Sequence, residues 1–210
     1  MTNGFFITFE GGEGVGKTTQ IKHLSERLEK QGHDTVQTRE PGGTPHAESI
    51  RNLLGDTELG PTWDNESELF MFSAARSMHV KDIIQPALNS GKIVVCDRYT
   101  DSTQVYQGID QGLPDDLMQT AIRYGSKNIY PNLTFILDLP AEEGLRRVKE
   151  RGIRDHYDEQ DEDFYEKIRQ GFLSIADKEP ERCVIINAMR DEQTIASEIE
   201  SVTLERLGDV

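Results

Sequence analysis

The amino-acid sequence predicts an α/β fold, with a five-stranded parallel sheet flanked by helices on both faces. Short apolar runs alternate along the chain with segments of helical periodicity, an order typical of parallel strands joined by helices. The run at residues 93–96 is almost wholly apolar, as expected of a central strand that is buried on both faces. The chain has 210 residues and no internal repeat or linker, a length that indicates a single domain over residues 1–210.

Runs rich in apolar and β-branched residues predict the strands. These runs lie at residues 5–9, 35–38, 93–96, 133–139 and 183–186. Pro45 behind Thr44 is typical of a first helical residue after its N-cap, and residues 65–68 resemble a capping box with Asn65 in the N-cap position. The predicted helices begin near residues 17, 45, 65, 114, 140, 162 and 192.

The composition excludes several classes of partner. Asp and Glu number 38 against 23 Lys and Arg, which gives a formal net charge of -15. A surface so acidic repels the nucleic-acid backbone and anionic lipid, so we expect neither a nucleic-acid nor a membrane partner. The start of the chain lacks a secretory signal pattern, and Cys96 and Cys183 lie in apolar runs typical of buried thiols. We therefore expect a cytoplasmic protein.

The segment after the first predicted strand carries the strongest functional signal. Residues 11–18 fit the pattern G-x-x-x-x-G-K-[ST] and lie between a predicted strand and a predicted helix, as this phosphate-binding motif requires. Glycines let such a loop curl so that its backbone N–H groups point at phosphates, while Lys17 adds a full positive charge and Thr18 offers a hydroxyl to Mg²⁺. The loop predicts a site for a nucleoside triphosphate with Mg²⁺. The candidate binding residues are Gly11, Gly12, Glu13, Gly14, Val15, Gly16, Lys17, Thr18 and Thr19.

Asp97 and Arg98 directly follow the third predicted strand. The carboxyl ends of strands in an open parallel sheet face the ligand crevice, so both side chains are expected beside the phosphate-binding loop. There Asp97 can hold Mg²⁺ through water or polarise an attacking oxygen, and Arg98 can bridge two phosphate groups. Together with Lys17, these residues are the candidate catalytic groups of the sheet edge.

Four segments together resemble the thymidylate kinases of the bacterial type, and the resemblance extends over nearly the whole chain. The segments are residues 9–19, 39–44 (Arg-Glu-Pro-Gly-Gly-Thr), 72–76 (Phe-Ser-Ala-Ala-Arg) and 97–108, which starts Asp-Arg-Tyr and ends Tyr-Gln-Gly. The resemblance implies a P-loop NTPase fold of the nucleoside monophosphate kinase type. It also implies transfer of the γ-phosphoryl group of Mg·ATP to dTMP, giving dTDP for dTTP synthesis, and a homodimer.

The resemblance further implies which residues bind the acceptor. Phe72 would stack on the thymine ring and Arg76 would bind the edge of the base. Their spacing of four residues agrees with this, because it puts both side chains on one face of a helix. For the other positions the resemblance implies Arg51 and Arg98 on the acceptor phosphate, Glu40 near that phosphate or its metal, Thr103 and Gln107 near the polar edge of thymine, and Tyr106 under the deoxyribose.

The charged segment at about 150–163 is expected to be an exposed lid loop. The bacterial type implied by the resemblance carries its catalytic arginine on the lid rather than in the phosphate-binding loop, where this chain has Glu13. Arg154 and then Arg151 are the candidates for that arginine. His156 stands where relatives usually have an arginine, which leaves the identity of the lid cation open. The acidic residues 158–163 are expected to be a solvated face, and the other four histidines, His79 among them, to be surface or capping groups.

Two alternative functions stay open. A deoxynucleoside kinase shares the Asp-Arg motif but accepts a neutral 5′-hydroxyl, whereas Arg51 and Arg76 favour a phosphorylated acceptor. A nucleotide-binding switch protein would act through a partner and would not phosphorylate an acceptor. The sequence contains no Asn-Lys-x-Asp run that would read guanine, which disfavours a GTPase.

Overall fold

The computed structural model describes residues 4–55, 63–152, 157–158 and 160–208. Its five strands form one all-parallel sheet in the order β2-β3-β1-β4-β5. The strands are β1 (Phe5–Glu10), β2 (Thr35–Arg39), β3 (Ile93–Asp97), β4 (Leu133–Asp138) and β5 (Cys183–Asn187). Each begins at the residue predicted from the sequence, which confirms the five-stranded parallel sheet.

Helices connect the strands, and each of the seven predicted starts agrees with an observed one to within one residue, whereas the helices that begin at residues 85 and 100 had no predicted start. The helices are α1 (Lys17–Lys30), α2 (Pro45–Gly55), α3 (Asn65–His79), α4 (Gln85–Asn89), α5 (Thr100–Thr103), α6 (Asp115–Ser126), α7 (Ala141–Arg151), α8 (Glu162–Lys178) and α9 (Glu192–Gly208). Two segments are π-helical: Val80–Ile84 joins α3 to α4, and Gln104–Asp110 continues α5. In the described residues no helix combines the length and apolar character needed to cross a membrane.

The alternating side chains of β1 explain why helices cover both faces of the sheet. Ile7 and Phe9 pack with apolar residues of α1 and α9, whereas Phe6 packs on the opposite face against the helical segments 80–84 and 85–89. All three side chains are fully buried. Removing one such side chain from water contributes about 1.5–3 kcal/mol, so β1 anchors both layers of the core.

Capping side chains fix the starts of α2 and α3. Thr44 accepts a hydrogen bond from the Ala47 N–H at 3.2 Å, which confirms Thr44 as the N-cap before Pro45. The prediction of Asn65 as the N-cap of α3 is wrong. Asp64 occupies that position and accepts from the Ser67 N–H at 2.9 Å, because extended backbone at Asp64 lets its carboxylate reach the first turn.

The helical segment over α5 and 104–110 was not predicted, because its sequence shows no apolar periodicity. Its buried face is largely polar and includes Thr103 and Gln107 beside Val105 and Tyr106. The register of β1 with β3 pairs Phe9 with Asp97, so this segment begins at the carboxyl edge of the sheet. Polar side chains on its inner face therefore meet the loops at that edge.

Candidate active site

A crevice of about 1250 Å³ opens at the carboxyl ends of β1, β2 and β3. It brings together nearly all the candidate residues that the sequence analysis named. The residues lining it include Glu13, Gly14, Val15, Gly16, Lys17, Thr18, Thr19, Glu40, Arg51, Phe72, Arg76, Asp97, Arg98, Thr103, Tyr106 and Gln107. Gly11 and Gly12 line a smaller adjoining cavity beneath the loop. Arg154 lies outside the described residues, and α7 ends at Arg151, whose side chain also lies outside them.

The phosphate-binding loop curls tightly between β1 and α1. Gly14 has φ 75° and Gly16 has φ 94°, left-handed values that favour glycine. A Cβ on Gly14 would lie 2.6 Å from the Gly144 carbonyl oxygen, so no larger residue fits there without a shift of backbone. The loop can therefore bring its backbone N–H groups close to an anion at the start of α1.

The Lys17 ammonium is buried within this loop. Nζ donates to the carbonyl oxygens of Gly11 at 3.0 Å and Gly12 at 2.8 Å. Burial, together with the charge of Arg98, lowers the pKa of Lys17 to about 8, and the nearby carboxylates, Glu13 foremost, oppose this shift. The ammonium is therefore a weakly solvated cation, which strengthens its attraction for a bound anion.

Thr18 and Asp97 meet where α1 begins and β3 ends. The Thr18 hydroxyl donates to Asp97 Oδ2 at 3.0 Å. In the described part of the chain no group of three or more His, Cys, Asp and Glu side chains comes together as a metal cage. One carboxylate and one hydroxyl suit Mg²⁺, which takes the rest of its ligands from water and phosphate oxygens. The donor set therefore fits that ion.

Arg98 reaches from the end of β3 to the phosphate-binding loop. Its Nη1 donates to the Gly11 carbonyl oxygen at 3.0 Å, its Nη2 binds the Glu13 carboxylate, and its guanidinium carbon lies 5.2 Å from the centre of the Tyr106 ring. Burial would lower the pKa of Arg98, but the charge of Glu13 and other acidic groups outweighs burial and raises it. Arg98 has φ 66°, a strained value that costs about 1–3 kcal/mol. The side chain is thus held as a permanent cation in a costly backbone conformation, which is typical of a functional residue.

Glu10 holds the segment that carries Arg98, and the sequence analysis did not assign it a role of its own. Its carboxylate accepts from the Tyr99 N–H at 2.7 Å and from the Ser102 hydroxyl at 2.6 Å. Burial, and then the charge of Asp101, raise the pKa of Glu10 to about 7. An acidic residue at the end of an otherwise apolar strand was the available sequence signal.

Arg76 is buried on the far side of the crevice, and most of its donors are already bound. Nε donates to Glu40 Oε2 at 2.6 Å, and Nη2 donates to the Tyr99 carbonyl oxygen at 3.1 Å and to Thr103 Oγ1 at 2.8 Å. Nη1 is buried and has no hydrogen-bond partner among the residues that the structure describes. An unpaired donor is costly in a buried position, so this nitrogen indicates a place for an acceptor atom of a ligand.

Glu40 is held from two sides. Besides binding Arg76, its Oε1 accepts a hydrogen bond from His79 Nδ1 at 2.9 Å, and His79 Nε2 lies 2.6 Å from Thr38 Oγ1. His79 is fully buried, so the prediction of a surface or capping histidine is wrong. His79 lies three residues after Arg76, which puts both on the inner face of α3, and that spacing could have identified it.

Phe72 and Arg51 line the crevice without being part of the core. Phe72 is half-buried, so its ring remains accessible from the crevice. Arg51 is exposed, and its Nη1 donates to the Pro41 carbonyl oxygen at 3.0 Å. Tyr106 is buried, and its hydroxyl donates to Glu13 at 3.1 Å.

Glu68 is buried beside these residues, and the sequence analysis had assigned it only to the capping box. Its Oε1 accepts from Gln107 Nε2 at 2.7 Å, from Gln111 Nε2 at 3.1 Å and from the Tyr157 hydroxyl at 2.5 Å. The Tyr157 ring also lies 5.0 Å from that of Tyr106. Glu68 precedes Phe72 by four residues on the same face of α3, and this spacing was the missed signal.

The segment expected to be a lid is not wholly exposed. Tyr157 is half-buried and Asp158 is buried, so a solvated face that includes Asp158 is contradicted. The aromatic contact with Tyr106 draws the chain inward here, which the surrounding run of charged residues did not indicate. His156 lies outside the described residues.

Comparison with known proteins agrees with this geometry. The family model described as thymidylate kinase matches residues 9–199. The chain is 44% identical over 208 residues to the thymidylate kinase of Caulobacter vibrioides, covering 99% of this chain and 100% of that protein. It is also 44% identical over 207 residues to the thymidylate kinase of a Bradyrhizobium species, covering 97% of this chain and 91% of the relative.

A solved structure leads to the same family. The crystal structure of thymidylate kinase from Ehrlichia chaffeensis matches with a TM-score of 0.77 at 38% sequence identity, covering 96% of this chain and 99% of the other. A family match over most of the chain, two relatives at 44% identity over nearly the whole chain and a shared fold agree with one another. The chain belongs to the thymidylate kinase family.

Proposed function

We propose that this protein transfers the γ-phosphoryl group of Mg·ATP to dTMP, giving dTDP. The observation that supports this most directly is the buried Nη1 of Arg76, which lies in the same crevice as the phosphate-binding loop and has no partner within the described part of the chain. One part of the crevice is suited to a triphosphate, and the other offers a donor to a neutral ring with a carbonyl acceptor. Phosphoryl transfer needs two such ligands in line, and positioning supplies most of its catalysis.

On the donor side, the loop residues 11–19 bind the phosphates of ATP. Backbone N–H groups and the positive end of α1 receive the phosphate oxygens, and Lys17 exchanges its two carbonyl partners for them. Thr18 and Asp97 hold Mg²⁺, which when bound neutralises charge on the phosphate oxygens. These residues orient the terminal phosphoryl group toward the centre of the crevice.

On the acceptor side, the base lies between α3 and the segment 100–110. Phe72 stacks on thymine and Arg76 Nη1 donates to a carbonyl of the base, which suits a planar ring with acceptors on its edge. Thr103 and Gln107 lie near that edge, and Tyr106 packs under the deoxyribose. Glu40 acts by holding Arg76, through the bond at 2.6 Å, rather than by contact with the phosphate.

The acceptor phosphate is held by arginines. Arg98 already contacts the phosphate-binding loop through Gly11, so it can bridge the acceptor phosphate and the transferred group. Arg51, exposed at the opening, binds the outer oxygens of the same phosphate. A lid cation completes the site, with Arg154 first and Arg151 second as the proposed residues. An arginine that stabilises the charge on the transferred group is worth about 10³–10⁵ in rate.

A coupled assay of ADP release tests the proposal. Purified protein with Mg·ATP is given dTMP, thymidine or no acceptor, and we expect ADP release to depend on dTMP. Turnover of thymidine without turnover of dTMP would replace the proposal with a deoxynucleoside kinase. Slow ADP release that no acceptor changes would instead support a nucleotide-binding switch.

The assembly and the location of the protein are separate proposals. Family resemblance supports a homodimer, and light scattering across a range of protein concentrations tests it, with a mass near that of one chain as the contradicting result. The resemblance and the buried thiols support a cytoplasmic protein, which fractionation of the source cells tests.

A further inference from the structure

We propose that Glu68 determines which pyrimidine the acceptor site takes, by fixing the orientation of the Gln107 amide. The inference rests on the proposed function, because it states how dTMP is distinguished from dCMP. Glu68 does not have to touch the nucleotide for this role. It is a positioning residue that acts through Gln107.

The hydrogen bonds around Glu68 all run in one direction. Three donors converge on one carboxylate oxygen: Gln107 Nε2 at 2.7 Å, Gln111 Nε2 at 3.1 Å and the Tyr157 hydroxyl at 2.5 Å. An ionised carboxylate has only lone pairs to offer, so each neighbour must present a hydrogen to it. The nitrogen of the Gln107 amide is therefore the atom on the Glu68 side.

The position of the nitrogen determines the position of the oxygen. The two atoms share one planar amide carbon, so Oε1 of Gln107 is directed away from Glu68. Gln107 is buried and lines the crevice, which makes Oε1 the acceptor that it offers to a base lying there. If the Gln107 amide were rotated, its oxygen would face the Glu68 carboxylate oxygen with no hydrogen between them. The Gln107 nitrogen would also lose its hydrogen bond to Glu68.

The acceptor oxygen matches one class of pyrimidine. Thymine and uracil carry an N3–H donor, whereas N3 of cytosine is an acceptor. An amide oxygen held toward this position pairs with the first two bases and opposes the third. Sites built to hydrogen-bond a particular group reject analogues that lack it, because a buried polar atom is then left unpaired.

Without Glu68 the amide loses this discrimination. The terminal torsion of glutamine is broad and roughly two-fold, so a free amide can present either its oxygen or its nitrogen to the base. Arg76 Nη1 still favours a carbonyl over an amino group at the neighbouring position, so the preference for thymine falls without disappearing.

The test measures kcat/KM for dTMP, dUMP and dCMP in the wild type and in Glu68→Met. We expect the dTMP/dCMP ratio to fall about tenfold in the variant, the value of one well-placed hydrogen bond. The dTMP/dUMP ratio should stay within about twofold of the wild type, because uracil presents the same N3–H. A loss of packing alone would weaken all three substrates in parallel, and that result would overturn the inference.

Two further variants keep the test decisive. Glu68→Gln retains an acceptor oxygen for the same three donors, so it should preserve the dTMP/dCMP ratio that Glu68→Met loses. Gln107→Met removes the amide itself and should lower that ratio even if Glu68→Met does not fold. In a Gln107→Met background, Glu68→Met should have no additional effect on the ratio. An unchanged ratio in Gln107→Met, or equal further losses in the double variant, would overturn the inference.

The design separates this inference from the proposed function. Wild-type protein that does not turn over dTMP would remove the proposed function. If the wild-type protein turns over dTMP but the dTMP/dCMP ratio is the same in the Glu68 and Gln107 variants as in the wild type, only the proposed role of Glu68 is refuted.

Discussion

The donor and acceptor sides of the crevice are built in different ways. The proposed donor side is chiefly one continuous loop, residues 11–19, which offers backbone groups and Lys17 to a ligand and takes its shape from glycines. The proposed acceptor side is assembled from side chains on α2, α3 and the segment 100–110 and from Glu40 just after β2, and several are held by a partner distant in sequence, as Arg76 is by Glu40. A contiguous backbone site tolerates few substitutions, but it is easy to identify from the sequence. A site made of side chains can be adapted to one base, but it can be identified only when the fold is known.

Arg98 lies where the two sides meet, and its loss should give the largest effect. We expect Arg98→Ala to lower kcat for dTMP phosphorylation at least about 10³-fold, because the positive charge of Arg98 stabilises the negative charge on the transferred phosphoryl group. ATP binding, measured by calorimetry, should change little, since the loop amides and Lys17 remain. Arg123→Ala, an exposed position on α6, is the control and should behave as wild type. Unchanged turnover in Arg98→Ala would remove this residue from the mechanism.

Phe72 tests whether the acceptor side acts separately from the donor side. Loss of a stacking ring costs about 1–3 kcal/mol per base, so Phe72→Ala should raise the KM for dTMP by roughly 5–150-fold. The KM for ATP should be much less affected. Phe70, two residues earlier on α3 and 55% exposed, provides the matched control in Phe70→Ala. Equal increases in both KM values would mean that the Phe72 ring serves packing alone.

Glu10 connects β1 with the segment that carries Arg98. We expect its ionisation to make the free energy of unfolding depend on pH. Its pKa is about 7 in the folded protein against an ordinary 4.5. Between these values the unfolded chain ionises Glu10 while the folded protein keeps it protonated, so stability from this group is lost as the pH rises. The slope approaches about 1.4 kcal/mol per pH unit.

Urea denaturation from pH 4.5 to 7.5 measures this effect, with Glu10→Gln as the comparison. The amide cannot ionise, so the difference in unfolding free energy between the two proteins should shift in favour of the variant as the pH rises. A difference that does not depend on pH would contradict the raised pKa.

Tyr157 should give the smallest effect, on the acceptor side only. Tyr157→Phe removes one of three donors to Glu68 and keeps the ring against Tyr106. A hydrogen bond contributes about 0.5–1.5 kcal/mol, so kcat/KM for dTMP should fall by roughly 2–12-fold, with the KM for ATP unchanged. An increase in the KM for ATP with no change in kcat/KM for dTMP would show that Tyr157 contributes to the donor side instead.

The sequence predicts the sheet and the donor loop well because their signals are local. Strands follow from short apolar runs, and residues 11–18 carry their whole motif in one stretch. Phe72 and Arg76 were found through their helical spacing and the family resemblance. By contrast, Glu10, Glu68 and His79 are buried polar groups whose partners lie tens of residues away. Strand position and helical spacing point to these residues, but they do not show that the side chains are buried, because burial of a polar group depends on a partner that only the fold brings close.

The bond between Glu13 and Arg98 has a consequence for the protein before any nucleotide arrives. A carboxylate of the loop already binds the Arg98 guanidinium, so any anion that enters the crevice must compete with Glu13 for this cation. Inorganic phosphate must displace the Glu13 carboxylate through its own contacts alone, whereas a nucleotide also contacts the crevice through its base and its sugar. The resting crevice thereby favours ligands that engage several of its walls at once.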